Sequence, residues 1–181
     1  HDALPICLPN NCSRNQSFEC SSGGLPLPIC KKCDCIVDCP DGSDEANCGP
    51  ILVNLTGRAV GEITSPKTNV KNYTGSLTCK RTLWTDDPDF YIKLLFTDFV
   101  MYGNCKDNYV YLENATLSGT DPSHGCCKKS TNVSCAFGNG TGAPPLAHTD
   151  KNFMIVNYVS MDSKSSTFSA KWFNVNGNFP Y

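Results

Sequence analysis

A chain of 181 residues carries a formal net charge of −2 and 13 cysteines. That charge excludes a strong general attraction to nucleic acid or to an anionic membrane, and no run of about 18 apolar residues is present to span a bilayer. The length suits one domain of ordinary size plus a small one. Eight of the 13 cysteines fall in the first 48 residues. A segment that short buries little apolar surface, so cross-links must carry its stability, and an oxidising compartment is expected. Asn-x-Ser/Thr sequons at Asn11, Asn15, Asn54, Asn72, Asn114, Asn132 and Asn139 point the same way. Asn11 is the poorest acceptor because Cys12 sits inside its sequon, which leaves the other six as expected glycan sites. The chain opens at His1, as expected of a mature or trimmed ectodomain.

Between Cys33 and Cys48, the carboxylates of Asp34, Asp38, Asp44 and Glu45 sit at fixed offsets among four cysteines. An oxygen cage on a disulfide staple suits Ca²⁺, which takes six to eight oxygens at about 2.3–2.6 Å. The Cys30-Lys31-Lys32-Cys33 tetrad also has the spacing of half a zinc site or of a redox pair. No His lies nearby, however, and the surrounding carboxylates suit hard Ca²⁺ better than Zn²⁺. The run resembles the calcium end of the LDL-receptor class A module, with its Cys-Asp-…-Asp-Cys-…-Asp-Gly-Ser-Asp-Glu-…-Cys pattern. That resemblance implies one Ca²⁺ held by the side chains of Asp34, Asp38, Asp44 and Glu45 and by the backbone carbonyls of Lys31 and Ile36. It also implies the disulfides Cys12–Cys30, Cys20–Cys39 and Cys33–Cys48. Cys35 stands where the family has Gly, and Cys7 precedes the module, so a Cys7–Cys35 cross-link is the economical expectation among 105 pairings of eight cysteines. Lys31 occupies a position where the family often carries an aromatic residue that packs on a ligand lysine. A cation there should repel an incoming lysine.

Gly49-Pro50 marks a break, and an apolar–polar alternation follows. Ile92 to Phe99, Tyr109 to Leu112, Phe153 to Tyr158 and Phe168 to Trp172 read as strands separated by Gly, Asn, Ser and Pro, with no long amphipathic helix. The pattern predicts an antiparallel β-sandwich. Residues 113–150 are rich in turn formers and read as an elaborated loop region. The order of landmarks resembles a CUB domain: Gly61-x-Ile63-x-Ser65-Pro66, Tyr73 and Cys79, Ile92-x-Leu94-x-Phe96-x-x-Phe99, Cys105 to Val110, Tyr158-x-Ser160, and Phe168-x-Ala170-x-Trp172. The expected fold is therefore mostly β: a small disulfide-rich, calcium-binding class A module at 1–48, with an N-terminal extension, followed by a CUB-type sandwich at 49–181.

Many CUB domains bind Ca²⁺ through one Glu and two Asp. Here those positions hold Val100, Asn108 and Met161, with Asp162 one place later, so no ion is expected in the sandwich; a shifted site on Asp98, Asp107 and Asp162 is the less favoured alternative. Cys105 is expected to pair with Cys126 or Cys127, and Cys79 to be a buried free thiol. Thirteen is odd, so at least one cysteine is left over, and a homodimer through it is one outcome.

His1, His124 and His148 show no metal-ligand or nucleophile spacing, and no enzyme is expected. Both resembled families serve as binding modules. They imply an extracellular ectodomain of a single-pass receptor or adhesion protein acting in guidance, migration or synapse organisation, with a protein ligand. The alternatives are an auxiliary subunit of a receptor or channel, and a targeting fragment of a larger secreted protease or endocytic receptor. The glycan-poor stretch from Tyr102 to Tyr111, with Tyr102, Tyr109 and Tyr111, is the expected partner-binding face.

Overall fold

The computed structural model describes residues 16–102, 107–118, 126–130, 133–137, 146–161 and 166–177. Among them the only helical element is a 3-10 turn at Ile29–Lys31. The first module contributes β1 (Ser17–Phe18), β2 (Leu27–Pro28) and β3 (Ile36–Val37). The rest of the chain contributes β4 (Ile51–Asn54), β5 (Val60–Thr64), β6 (Lys67–Thr68), β7 (Leu77–Trp84), β8 (Phe90–Val100), β9 (Asn108–Glu113), β10 (Thr116–Leu117), β11 (Cys126–Ser130), β12 (Val133–Phe137), β13 (Ala147–His148), β14 (Phe153–Ser160) and β15 (Thr167–Asn176). A five-stranded sheet in the order β10-β13-β8-β15-β5 faces a six-stranded sheet in the order β11-β12-β9-β14-β7-β4. Every pairing is antiparallel except β4 with β7 and β3 with β6.

The predicted runs become β8, β9, β14 and β15. Their alternation works as expected for strands with one face on a core: Val110 and Leu112 of β9, and Phe168, Ala170 and Trp172 of β15, are buried. In β8 the inward residues are Ile92, Leu94 and Phe96, then Phe99, with Met101 buried just past its end. The break in period is a bulge, because Ala170 opposes Phe96 while Ser169 opposes Asp98, leaving Thr97 as the extra residue. The Phe99 ring consequently reaches the core, edge-on to Phe96 at 5.6 Å. Tyr158 is buried, and its hydroxyl donates to the Ser166 carbonyl at 2.6 Å. Gly61 lies opposite Trp172 in the β5–β15 ladder, so close that a Cβ at Gly61 would fall 2.2 Å from the indole Cζ2.

Residues 113–150 were expected to be loops, yet they include β10 to β13. These strands are short, and the β11–β12 hairpin is irregular, with register shifts between Cys126 and Lys128 and between Lys128 and Ser130. Broken register blurs the period-two signal that announces longer strands.

Candidate metal centre

The first module is stapled by Cys20–Cys39 and Cys33–Cys48, two of the pairs that the class A resemblance implies. Cys30 is disulfide-bonded as well, and the Cys12 expected opposite it lies outside the described residues. So do Cys7, Cys105, Asn15, Asn132, Asn139 and Asp162. Two expectations need correction. Cys35 does not pair with Cys7, and Cys79 is no free thiol: the two are joined to each other across 44 residues. The reason lies in the backbone. Cys35 takes the left-handed conformation (φ 64°) where the family has Gly. β3, which follows it, pairs in parallel with β6 and so brings Cys35 against β7 of the sandwich. Strain of roughly 1–2 kcal/mol at a left-handed non-glycine residue is outweighed by closing a loop of this length, about 4 kcal/mol on the chain-entropy estimate.

Around this staple the four acids are ordered by backbone donors. Glu45 accepts from the Asp34 and Cys35 amides at 2.9 and 3.0 Å. Asp34 Oδ1 accepts from the Ile36 amide at 2.9 Å, and Asp44 Oδ2 from the Asp38 amide at 2.6 Å. Asp44 is fully buried, which no solvated acidic turn would be. Its Oδ1 and Asp38 Oδ2 are buried with no hydrogen-bond partner. Asp38 Oδ2 has only an ion pair, to the Lys31 ammonium at 3.3 Å. A buried carboxylate oxygen without a donor is costly unless a cation satisfies it. An all-oxygen donor set in which Asp44 Oδ1 is such an orphan, and Asp38 Oδ2 meets only a lysine, therefore fits Ca²⁺. The carbonyls of Cys35 and Val37 accept from Lys67 and Asn69, so strand alternation turns the Ile36 carbonyl to the opposite side. No three of the four acids bring one oxygen each within 4.8 Å of one another. Cys20, Cys39 and Asp41 do meet that distance, but the two sulfurs are bonded to each other and cannot ligate. Lys31, where an aromatic residue was looked for, covers Asp38 with a cation of the chain's own.

Burial, the largest cause, pushes the Glu45 carboxyl up to about 7, with its backbone donors opposing and the Asp34 and Asp44 charges reinforcing the rise. Burial likewise raises Asp34, against the Ile36 amide and the Lys31 charge. For Glu45, a folded pKa above the unfolded one gives a stabilising contribution that is complete below about pH 4.5. It is lost as pH rises through about 7. Calcium needs the ionised acids, so its own contribution grows over the same range. We expect the chelated protein to melt at a lower temperature at pH 7.5 than at pH 5.5, and the calcium-saturated protein to show a weaker or reversed trend. Parallel melting curves in both states would refute this if they coincide at each pH.

At the other end of the sandwich, Asn108 is buried where the CUB family carries an acid. Its Nδ2 donates to the Tyr102 carbonyl at 2.8 Å, while its Oδ1 accepts from Ser160 Oγ at 2.8 Å and from the Met161 amide at 3.1 Å. A neutral amide satisfied at both ends thus ties the start of β9 to Tyr102 and to the end of β14. Asp98 and Asp107 are exposed. Tyr102 and Met161, 52% and 58% exposed, flank Asn108 at this end. Tyr109 and Tyr111 stand on the outer face of β9 with ring centroids 5.8 Å apart. Tyr111 also lines a cleft of about 200 Å³ between the sandwich and the first module. The three tyrosines therefore occupy two places. Of the described sequons, Asn54 and Asn72 are exposed and Asn114 is half-buried.

No family model matches the chain. Over 48 residues it is 46% identical to the CD320 antigen of Bos taurus, a stretch covering 26% of this chain and 16% of that protein. Among solved structures, similar ones include the CUB1-EGF-CUB2 domains of rat MASP-1, at 21% identity and a TM-score of 0.44 over 68% of this chain and 42% of that one. The full extracellular region of zebrafish Gpr126/Adgrg6 aligns at 19% identity and a TM-score of 0.45, over 71% of this chain and 15% of that one. The MASP-1 CUB2 domain bound to Ca²⁺ aligns at 18% identity and 0.44, over 70% and 99%. No helix among the described residues is long and apolar enough to cross a membrane.

Proposed function

We propose that the chain is a calcium-stabilised, non-catalytic, protein-binding ectodomain of a single-pass receptor or adhesion protein, serving guidance, migration or synapse organisation. Residues 1–48 form its class A module and 49–181 its CUB domain. The observation that supports this best is in the acidic loop: Asp44 is fully buried, with one side-chain oxygen that no protein donor meets. The ion's two positive charges would offset much of the repulsion among four carboxylates in a module with almost no core. At a hundredfold excess over its dissociation constant, that binding adds about 2.7 kcal/mol. The Cys20–Cys39, Cys33–Cys48 and Cys35–Cys79 disulfides, with exposed sequons at Asn54 and Asn72, fit a secretory route. Partner binding is assigned to the end of the sandwich where Tyr102 and Met161 are exposed, since apolar and aromatic groups are enriched in interface cores.

The test is staining of intact cells with a tetramerised, fluorescent form of residues 1–181, with calcium and with chelator. Saturable staining lost on chelation supports a receptor acting between cells. Absence of staining in both conditions favours an auxiliary subunit acting within one membrane. Tyr102→Ala should weaken staining at least about tenfold, as loss of an interface anchor does, at unchanged melting temperature; equal staining would remove that end from consideration.

A further inference from the structure

The acidic loop of the first module is gripped from behind by the segment that leaves β5. Asn69 Nδ2 donates to Asp38 Oδ1 at 2.6 Å. The Lys67 and Asn69 amides donate to the Cys35 and Val37 carbonyls at 3.1 and 2.9 Å, building the parallel β3–β6 pair. Gly42, at φ 69°, sits under Tyr73, whose hydroxyl oxygen would be 2.3 Å from a Cβ there. Tyr73 is itself anchored by donating to the Ser76 carbonyl at 3.1 Å. Val37 belongs to the core of the sandwich.

We infer that calcium in the first module latches segment 67–76 of the sandwich, so that the ion sets the relative order of the two modules. This rests on the calcium reading given above. The residues that face the cage and those that hold the sandwich are the same residues, used from opposite sides. Asp38 gives Oδ1 to Asn69, while its buried Oδ2 faces away from that bond and meets the Lys31 ammonium at 3.3 Å. β3 gives the Cys35 and Val37 carbonyls to β6, which turns the Ile36 carbonyl the other way. An ion that draws in Asp38 and Ile36 fixes the acceptors on which Lys67 and Asn69 depend. Without it, four repelling carboxylates spread this loop, and the grip loosens. The Cys35–Cys79 disulfide keeps the modules joined throughout, so the change is a local release and not a separation. Coupling of this kind is reciprocal: whatever the ion adds to docking, docking adds to ion affinity.

The experiment uses residues 1–181 throughout. Calorimetric titration with Ca²⁺ is paired with amide hydrogen exchange in calcium and in chelator. The Lys67 and Asn69 amides should lose at least about tenfold of their protection on chelation, while those of the β7–β14 ladder keep theirs. Asn69→Ala should weaken Ca²⁺ binding roughly five- to tenfold, within the usual range of coupling between sites. Calcium binding with unchanged exchange at Lys67 and Asn69 would overturn the latch and leave the calcium reading standing. Absence of any heat of binding in the unaltered chain would overturn both. The exchange comparison uses no variant, so it decides the matter even if Asn69→Ala is poorly secreted.

Discussion

Asp44→Ala should abolish calcium binding by residues 1–181 and unfold the first module while the sandwich persists. Two losses combine. Asp44 Oδ2 is the acceptor for the Asp38 amide at 2.6 Å, and leaving a buried donor unpaired costs about 1–3 kcal/mol. Losing the ion removes roughly another 2.7 kcal/mol at a hundredfold saturation. Together these approach the whole stability of a domain this small. Calorimetry should show no calcium heat, and exchange at the amides of residues 34–38 should become fast even in calcium. Retention of both would mean that Asp44 is a structural acid and no ligand. Asp41→Ala is the matched control, since Asp41 is exposed and accepts from the Ser43 amide and hydroxyl within its own turn.

Gly61→Ala should be the most damaging small substitution in the sandwich. The added methyl would fall 2.2 Å from Trp172 Cζ2, and Trp172 is only 3% exposed. The indole must move within a close-packed core, for about 1–3 kcal/mol. A fall in melting temperature of several degrees, with red-shifted tryptophan emission, is expected. Trp172→Phe should be tolerated better on the Gly61→Ala background than on the native one. Additive losses would show that the two positions do not meet.

How far the sequence carried this reading depended on spacing. The acids at Asp34, Asp38, Asp44 and Glu45 were legible because carboxylates at fixed offsets among cysteines have few other uses. The structure adds that one of their buried oxygens, Asp44 Oδ1, has no hydrogen-bond partner. The three-residue step from Phe96 to Phe99 was legible as a pattern, and the bulge at Thr97 explains it. The partner of Cys35 was not legible. Cysteine pairing is set by which backbones meet, and β3 meets β6 through a parallel pair of only two residues, too short to write a period. The role of Asn108 was half legible: its position excluded an acid, but nothing local announced that its amide oxygen would be met across 52 residues by Ser160 while its nitrogen donates to the Tyr102 carbonyl.

The Cys35–Cys79 bond also bears on how the protein is made and exchanged. During synthesis Cys35 emerges well ahead of Cys79, among Cys30, Cys33 and Cys39, any of which can capture it in an oxidising lumen. Its correct partner arrives only when β7 does, so the first module reaches its final wiring as a dependant of the sandwich. A module whose cross-links are all internal can be shuffled between genes as a cassette. This one cannot be lifted out at residue 48 without leaving a lone thiol beside the acid cage, which ties the two units together as one inherited and exported piece.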